Sequence, residues 1–219
     1  MIVISAVLLQ ALLQHKSVVP SPYDQFKLAL TQKNVRQLEK LASDQSLRHA
    51  KSESGQTPMH AAAAMGYVEG LRVLIKHGFD VNARDDMDRS TPLVLACFDG
   101  FADCAKLLLA NGANPNAATS LGRFPLQYAV HYADKSIVLL LLQKGAYTEM
   151  RTANGETPLY LAVTARKFSL EIVKALLHHG ADPFAEEAKR RSPFSAAKER
   201  HLDAVLGLFA PYKSYFRDR

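Results

Sequence analysis

A short motif recurs along this chain at a spacing so even that it dictates the architecture. Thr57-Pro58-Met59-His60, Thr91-Pro92-Leu93-Val94, Phe124-Pro125-Leu126-Gln127, Thr157-Pro158-Leu159-Tyr160 and Ser192-Pro193-Phe194-Ser195 follow one another at 34, 33, 33 and 35 residues. Each of the first four is followed, 21 or 23 residues after its first position, by Gly78, Gly112, Gly145 or Gly180. Between the two anchors lie apolar runs of helical period at 68–76, 102–110, 136–143 and 170–178. Two anchors kept in phase at this period specify a stack of helix pairs, each burying its apolar face only against its neighbours.

The parts of the motif have separate physical tasks. A Thr or Ser hydroxyl before Pro caps free backbone N–H groups, and Pro fits the first helical position because it has no N–H to leave unpaired. Small residues follow at 61–64, Ala96-Cys97 and Ala196-Ala197, which lets neighbouring helices approach closely. Bulky aliphatics such as Leu71, Val73, Leu74 and Ile75 fill the layer between second helices. The Gly supplies a left-handed helix end, and polar stretches such as 82–90 form a protruding turn, or finger, before the next Thr-Pro. Composition agrees: Ala (31) and Leu (30) dominate the 219 residues, while 11 Gly and 10 Pro are too many for one long bundle.

At these residues the chain resembles the ankyrin-repeat family. The family's Thr-Pro-Leu-His signature stands as Thr57-Pro58-Met59-His60, and its Gly-Ala-Asp-x-Asn stretch as Gly112-Ala113-Asn114-Pro115-Asn116. The resemblance implies an all-α ankyrin solenoid of about five repeats plus a degenerate N-terminal capping repeat. The boundaries expected are 21–54 for the cap repeat, then 55–88, 89–121, 122–154 and 155–189, and 190–210 for the C-terminal cap repeat. Helices at 24–30 and 35–42 would surround Gln32-Lys33-Asn34, and Pro211 would end the last repeat ahead of a tail at 211–219.

Departures from the family pattern are informative. His60 is alone in the fourth place of the signature, where Val94, Gln127, Tyr160 and Ser195 stand elsewhere, so most of the hydrogen bonds that His makes between neighbouring turns in the family are expected to be missing. Phe124 replaces the capping Thr and should weaken that helix start by about 1 kcal/mol. One extra residue falls in the finger at 85–88 and two in the loop at 166–169, where functional specialisation is sought first.

Several classes of chemistry find no support. There is no Gly-rich phosphate loop, no Gly-x-Ser-x-Gly elbow and no His-Glu-x-x-His helix. His178-His179 are adjacent rather than four apart and read as a helix C-terminus beside its dipole, not a metal pair. Asp85-Asp86 and Glu186-Glu187 read as solvated finger carboxylates. Cys97 and Cys104 read as small core residues rather than a redox pair. No catalytic residue, cofactor or metal is assigned. The net charge of +6 is mixed along the chain: residues 79–103 hold six Asp against two Arg, and 183–219 hold eight Lys/Arg against five Asp/Glu. That mixture disfavours nucleic acid, whose binders gather basic residues on one face.

Within the apolar N-terminal segment at 1–20, the run 2–13 is too short to span a bilayer. The segment reads as a docking helix, as an export signal or membrane-proximal segment, or as a start-site artefact. The chain is expected to be cytoplasmic, or exported if that segment is a signal.

In the ankyrin family, finger tips, the positions before Thr-Pro and the ends of the first helices line a concave groove that binds a protein. Carried over by position, the resemblance selects Asp86, Met87 and Leu121 on fingers, and Arg123, Glu156 and Arg191 before the Thr-Pro positions. On helix ends it selects Met65, Phe98, Asp99, His131, Tyr132 and Arg200. Phe98, Tyr132, Met65, Met87 and Arg123 are types enriched in interface hot spots. An acidic second repeat and basic later positions would steer a partner of matching charge into register. The expected protein is a monomeric, non-enzymatic module that inhibits, masks or tethers one protein partner of unspecified identity, with no small-molecule substrate. An exported bacterial-type effector or self-protection protein, and a regulatory subunit of a cytosolic or nuclear complex, stay open.

Overall fold

Each Thr-Pro, or its substitute, opens a helix at the proline, and each apolar run forms a second helix behind it. The computed structural model describes residues 20–132 and 134–213; the expectation for the 1–20 segment therefore lies outside the described residues except at Pro20, as does most of the tail. In chain order the helices are α1 Pro22–Thr31, α2 Val35–Ala42, the short α3 Gln45–Arg48, α4 Pro58–Ala64 and α5 Val68–Lys76, α6 Pro92–Asp99 and α7 Ala102–Ala110, α8 Pro125–His131 and α9 Lys135–Gln143, α10 Pro158–Thr164 and α11 Leu170–His178, α12 Pro193–Glu199 and α13 Asp203–Phe209. Every regular element among the described residues is helical. None is long and apolar enough to cross a membrane.

The caps follow the residue chemistry. Ser21, Thr91, Thr157 and Ser192 accept a backbone N–H from the third residue onward through their hydroxyls, at 3.1–3.3 Å. Phe124 has no such acceptor, and its own N–H is instead taken by Gln127 Oε1 at 3.0 Å. The expected stop at Pro211 falls just after the end of α13. α13 closes at Phe209 and continues into a 3-10 turn, Ala210–Tyr212, whose early positions need no N–H from the proline.

The helices stack in two layers. The inner layer runs α1, α4, α6, α8, α10, α12 and the outer layer α2, α5, α7, α9, α11, α13, each helix packed on the next. Ala62, Ala63, Ala96, Cys97, Ala129 and Ala197 are fully buried on the inner helices, and Leu71, Leu74, Leu108, Ile137, Leu141 and Leu176 are fully buried on the outer ones. The two layers approach closely at Gly70 of α5, where a Cβ would stand 2.7 Å from the Leu30 side chain of α1. A larger residue there would require the buried Leu30 side chain to shift.

Polar side chains fasten one turn to the next along the stack. His60 is wholly buried. Its Nδ1 accepts the Thr57 N–H at 3.2 Å, which leaves Nε2–H to donate to the Ser90 carbonyl at 2.9 Å. Gln127 partly restores this function in the fourth place of the third signature: its Nε2 donates to the Met150 carbonyl at 3.0 Å. The expected loss of such bonds is therefore incomplete, because an amide can both accept from its own turn and donate to the following loop.

A second ladder uses the Asn of the Gly-Ala-Asp-x-Asn stretch. Asn82 donates to the Gly112 carbonyl at 3.0 Å and accepts the Asn114 N–H at 2.8 Å. Asn116 does the same with Gly145 and Tyr147, at 3.0 and 2.9 Å. In the third rung Glu149 accepts the Asp182 N–H at 3.0 Å, but an ionised carboxylate has nothing to donate.

At the N-terminal junction Glu39 of α2 pairs with Lys76 at 2.9 Å and with His77 at 2.7 Å, and these partners hold its carboxyl below the usual range.

Two stability outcomes follow from these rungs. Desolvation raises the Glu149 carboxyl above its ordinary value, although much of the side chain is exposed. A raised carboxyl contributes stability that is present below the ordinary value and is lost as pH rises through the folded one. Glu149→Gln supplies the missing donor; it should remove that pH dependence and raise the thermal midpoint at pH 7 by about 2–4 °C, corresponding to one added hydrogen bond of about 1 kcal/mol. Burial lowers His60 from its ordinary value of 6.5. Its stabilisation is complete above that value and fades as pH falls through the folded one. His60→Ala should cost about 2–4 kcal/mol in urea unfolding at pH 7.5, and should flatten the loss of stability expected as pH falls below the ordinary histidine value.

Candidate functional site

The fingers are closed from within by one inward-turned polar residue each. Asp85 Oδ1 accepts the N–H groups of Asp88 and Ser90 at 3.1 Å each. Thr119 Oγ1 accepts from Arg123 N–H at 3.3 Å and Thr152 Oγ1 from Glu156 N–H at 3.2 Å. Glu187 takes the Lys189 N–H at 2.9 Å and the Arg191 guanidinium at 2.9 Å. These bonds, the Lys189 amide first, hold its carboxyl below the usual range.

Asp85 and Glu187 are therefore buried, at 6 % and 7 % exposure, and not the solvated carboxylates that their sequence setting suggested. Turning them inward satisfies backbone N–H groups and accommodates the extra residue at 85–88. It leaves the neighbouring tip residues to solvent.

Apolar side chains stand out on the opposite account. Among the described residues the exposed large hydrophobics include Met87 (77 %) and Leu121 (64 %) at finger tips, and Met65, Phe98 and Tyr132 at inner-helix ends. Val35 and Tyr147 complete that group.

The rings meet across repeats. Phe98 of α6 lies edge-on to Tyr132 at the end of α8, with centroids 5.3 Å apart, and His131 stacks edge-on to Tyr132 at 5.0 Å. Phe98 also contacts Tyr128 of α8 at 5.8 Å, and the Arg123 guanidinium lies over the Tyr128 ring at 5.9 Å. A continuous strip thus runs from the finger base at Arg123, across Tyr128, to the helix ends. Tyr128 escaped the sequence reading. Its signal was an aromatic three residues after the proline, where the other repeats carry Ala or Leu.

The charged members of the expected set are mostly engaged. Asp86 pairs with Lys51 at 2.9 Å. Glu156 accepts the Thr152 hydroxyl at 3.0 Å. Arg191 pairs with Glu187 and lies over the Tyr160 ring at 5.5 Å. The Arg200 guanidinium donates to the carbonyls of Val163 and Ala165, closing the C-terminal end of α10. Asp99 sits at the exposed end of α6 with its carboxyl raised by partial desolvation. The acidic second repeat therefore presents less free charge than its sequence suggests, since Asp85 and Asp88 serve the finger and Asp86 is paired.

Other groups have structural partners. His179 Nδ1–H donates to the Ala175 carbonyl at 2.9 Å, as suits a helix end. No group of three or more His, Cys, Asp or Glu able to hold a metal occurs among the described residues. Burial raises both thiols, Cys104 to about 11, so they stay protonated near neutral pH. The surface can offer apolar area, ring edges and a few hydrogen-bonding groups.

The packing distinguishes display from support. Phe98→Ala and Tyr132→Ala remove half-exposed rings and should each cost under about 1 kcal/mol, whereas Tyr128→Ala should cost about 3 kcal/mol. Urea unfolding of the three variants checks this; equal losses would make the outer rings part of the core.

Comparison with known proteins agrees with this architecture. The model of the family described as ankyrin repeats in three copies matches residues 26–119, 79–152 and 117–187. Human "Ankyrin repeat and SOCS box protein 6" is 30 % identical over 170 residues, covering 65 % of this chain and 40 % of that protein. "Ankyrin repeat, SAM and basic leucine zipper domain-containing protein 1" of Dasypus novemcinctus is 32 % identical over 126 residues, covering 55 % of this chain and 26 % of that protein. "Protein phosphatase 1 regulatory subunit 27" of Mus musculus is 39 % identical over 72 residues, covering 33 % of this chain and 46 % of that protein. The chain spans less than half the length of these curated relatives. With more than half of its length matched by the family model, the chain belongs to the ankyrin-repeat family.

Proposed function

We propose that this protein is a non-enzymatic binding module that holds a protein partner between its fingers and inner-helix ends. Ankyrin repeats are generic protein-interaction modules, and the observation that carries the reading for this chain is the placement of its exposed apolar side chains. Met65, Met87, Phe98, Leu121 and Tyr132 are five of the seven large hydrophobics exposed among the described residues. All five belong to finger tips or inner-helix ends of successive repeats. Exposed apolar area concentrated on one face supports a docking surface, whereas scattered residues would not.

The role is that of an adaptor or regulator. Two relatives carry names of that kind, one a SOCS box protein and the other a phosphatase regulatory subunit. Phe98, Tyr132 and Met65 provide the anchors, and Met87 and Leu121 provide contacts from the finger side. Tyr128 and Arg123 hold the rings in place.

A photo-cross-linking amino acid at Leu121 or Met87, in cells producing the full chain, should yield one shared adduct. The same probe at Lys106 or Gln143 on the outer helices should not. The Phe98→Ser/Tyr132→Ser variant should lose at least 80 % of that adduct while keeping its thermal midpoint within about 3 °C, as the small stability cost of half-exposed rings requires. Equal adducts from the outer helices, or adducts indifferent to the two rings, would reject the reading.

A further inference from the structure

The two walls of the groove change character together toward the C-terminal end. From the 85–88 finger to the end of α6, residues 85–100 carry Asp85, Asp86, Asp88 and Asp99 against Arg89. Two repeats on, the helix-end wall carries Arg166 and Lys167 in the two-residue insertion, with Lys198 and Arg200 on α12 and the turn after it. The finger wall carries Lys189 and Arg190. All six are exposed. Glu186 and Glu199 are the exposed acids among them, and Glu187 is buried within its finger.

Two contacts bring these charges to one place. Arg200 donates through one nitrogen to the Val163 and Ala165 carbonyls, which fixes the backbone from which Arg166 and Lys167 project. Tyr160 of α10, on the floor between the walls, is buried under the Arg191 guanidinium, which Glu187 of the finger holds, and Arg200 of the helix-end side reaches the C-terminal end of the same helix. Finger and helix end therefore face the same floor.

Resting on the groove reading, we propose that the floor and walls around Tyr160 take an acidic segment of the protein partner, its carboxylates meeting Arg166, Lys167 and Lys198 while its apolar part lies toward Phe98 and Tyr132. Exposed like charges on facing walls raise the local potential and attract an opposite charge, an effect that salt weakens. A peptide fits better than a nucleic acid. The basic stretch is confined to the last two repeats, and a continuous polyanion laid along the groove would run onto Glu156, Asp99 and Asp86.

The test uses the full chain and fluorescein-labelled dodecapeptides in anisotropy titrations. One peptide alternates Glu-Glu-Phe, a second has Gln for Glu, and a single-stranded RNA dodecamer serves as the third probe. The Glu peptide should bind at least tenfold tighter than the Gln peptide at 50 mM salt, with most of that margin lost at 300 mM. Arg166→Glu/Lys167→Glu should weaken it at least tenfold, and Lys106→Glu/Lys144→Glu on the outer layer less than twofold. Equal weakening by both pairs, no preference for Glu over Gln, or tighter binding of the RNA would overturn the proposal. Any of these, with the Leu121 adduct intact, removes the acidic segment and leaves the groove reading standing; loss of that adduct as well removes both.

Discussion

No helix pair in this chain can bury its apolar face by itself, and every other property of the fold follows from that. Each inner helix is covered by the next inner helix, and each outer helix by the next outer one. The spacing between neighbours is set by the side chains that stand between inner helices. Ala62, Ala63, Ala96, Cys97, Ala129 and Ala197 keep it short, which brings consecutive loops within hydrogen-bond reach of one another. His60, Gln127, Asn82 and Asn116 then span that gap, each donating to a carbonyl outside the helices and further along the chain. Close packing comes first, and the polar rungs depend on it. A solenoid of this kind has a stability made of local terms, with no centre whose loss would empty the whole.

The same economy produces the candidate binding surface. Finger backbones expose N–H groups that cannot reach a helix or sheet partner, and Asp85, Thr119, Thr152 and Glu187 turn inward to meet them. Residues beside them are then pushed to the tip, which is why Met87 and Leu121 stand in solvent. At the helix ends, Phe98 and Tyr132 are too large for the gap that alanines fill deeper in the stack. They lie across it instead, edge to face, with Phe98 also against Tyr128. Support and display are thus divided between neighbouring positions of one turn.

Much of this was legible in the residues. The outer helices at 68–76, 102–110 and 170–178 coincide with Val68–Lys76, Ala102–Ala110 and Leu170–His178, because aliphatic period and Gly stops constrain both ends. Each inner helix opens at its proline for a reason visible in sequence. The even period and double motif that suggested ankyrin repeats also carried the family assignment. Other features were hidden because they depend on a partner far away in the chain. A finger carboxylate looks solvated until its own backbone folds over it, as at Asp85 and Glu187. Gln127 looks like a lost His until the loop at Met150 arrives beside it. Arg200 and Asp86 were selected by position alone, and their engagement with the α10 carbonyls and with Lys51 depends on residues about 35 positions away. Pro211 acts as its chemistry suggests: α13 stops two residues before it, and the proline suits the early positions of the tighter turn that follows.

The way the fourth helix pair carries its two extra residues has a consequence for how such a chain can change. Arg200 grips this loop by two main-chain oxygens, Val163 and Ala165, and makes no demand on the identity of Arg166 or Lys167. Ser169 and the half-buried Phe168 restart the next helix from the other side. Between these clamps lie two positions that folding leaves unspecified. Mutations there can accumulate without eroding the stack, so the edge of the surface can drift from one charge to another while the architecture is conserved. The solenoid thereby separates the residues that must be kept from those on which variation is free to act.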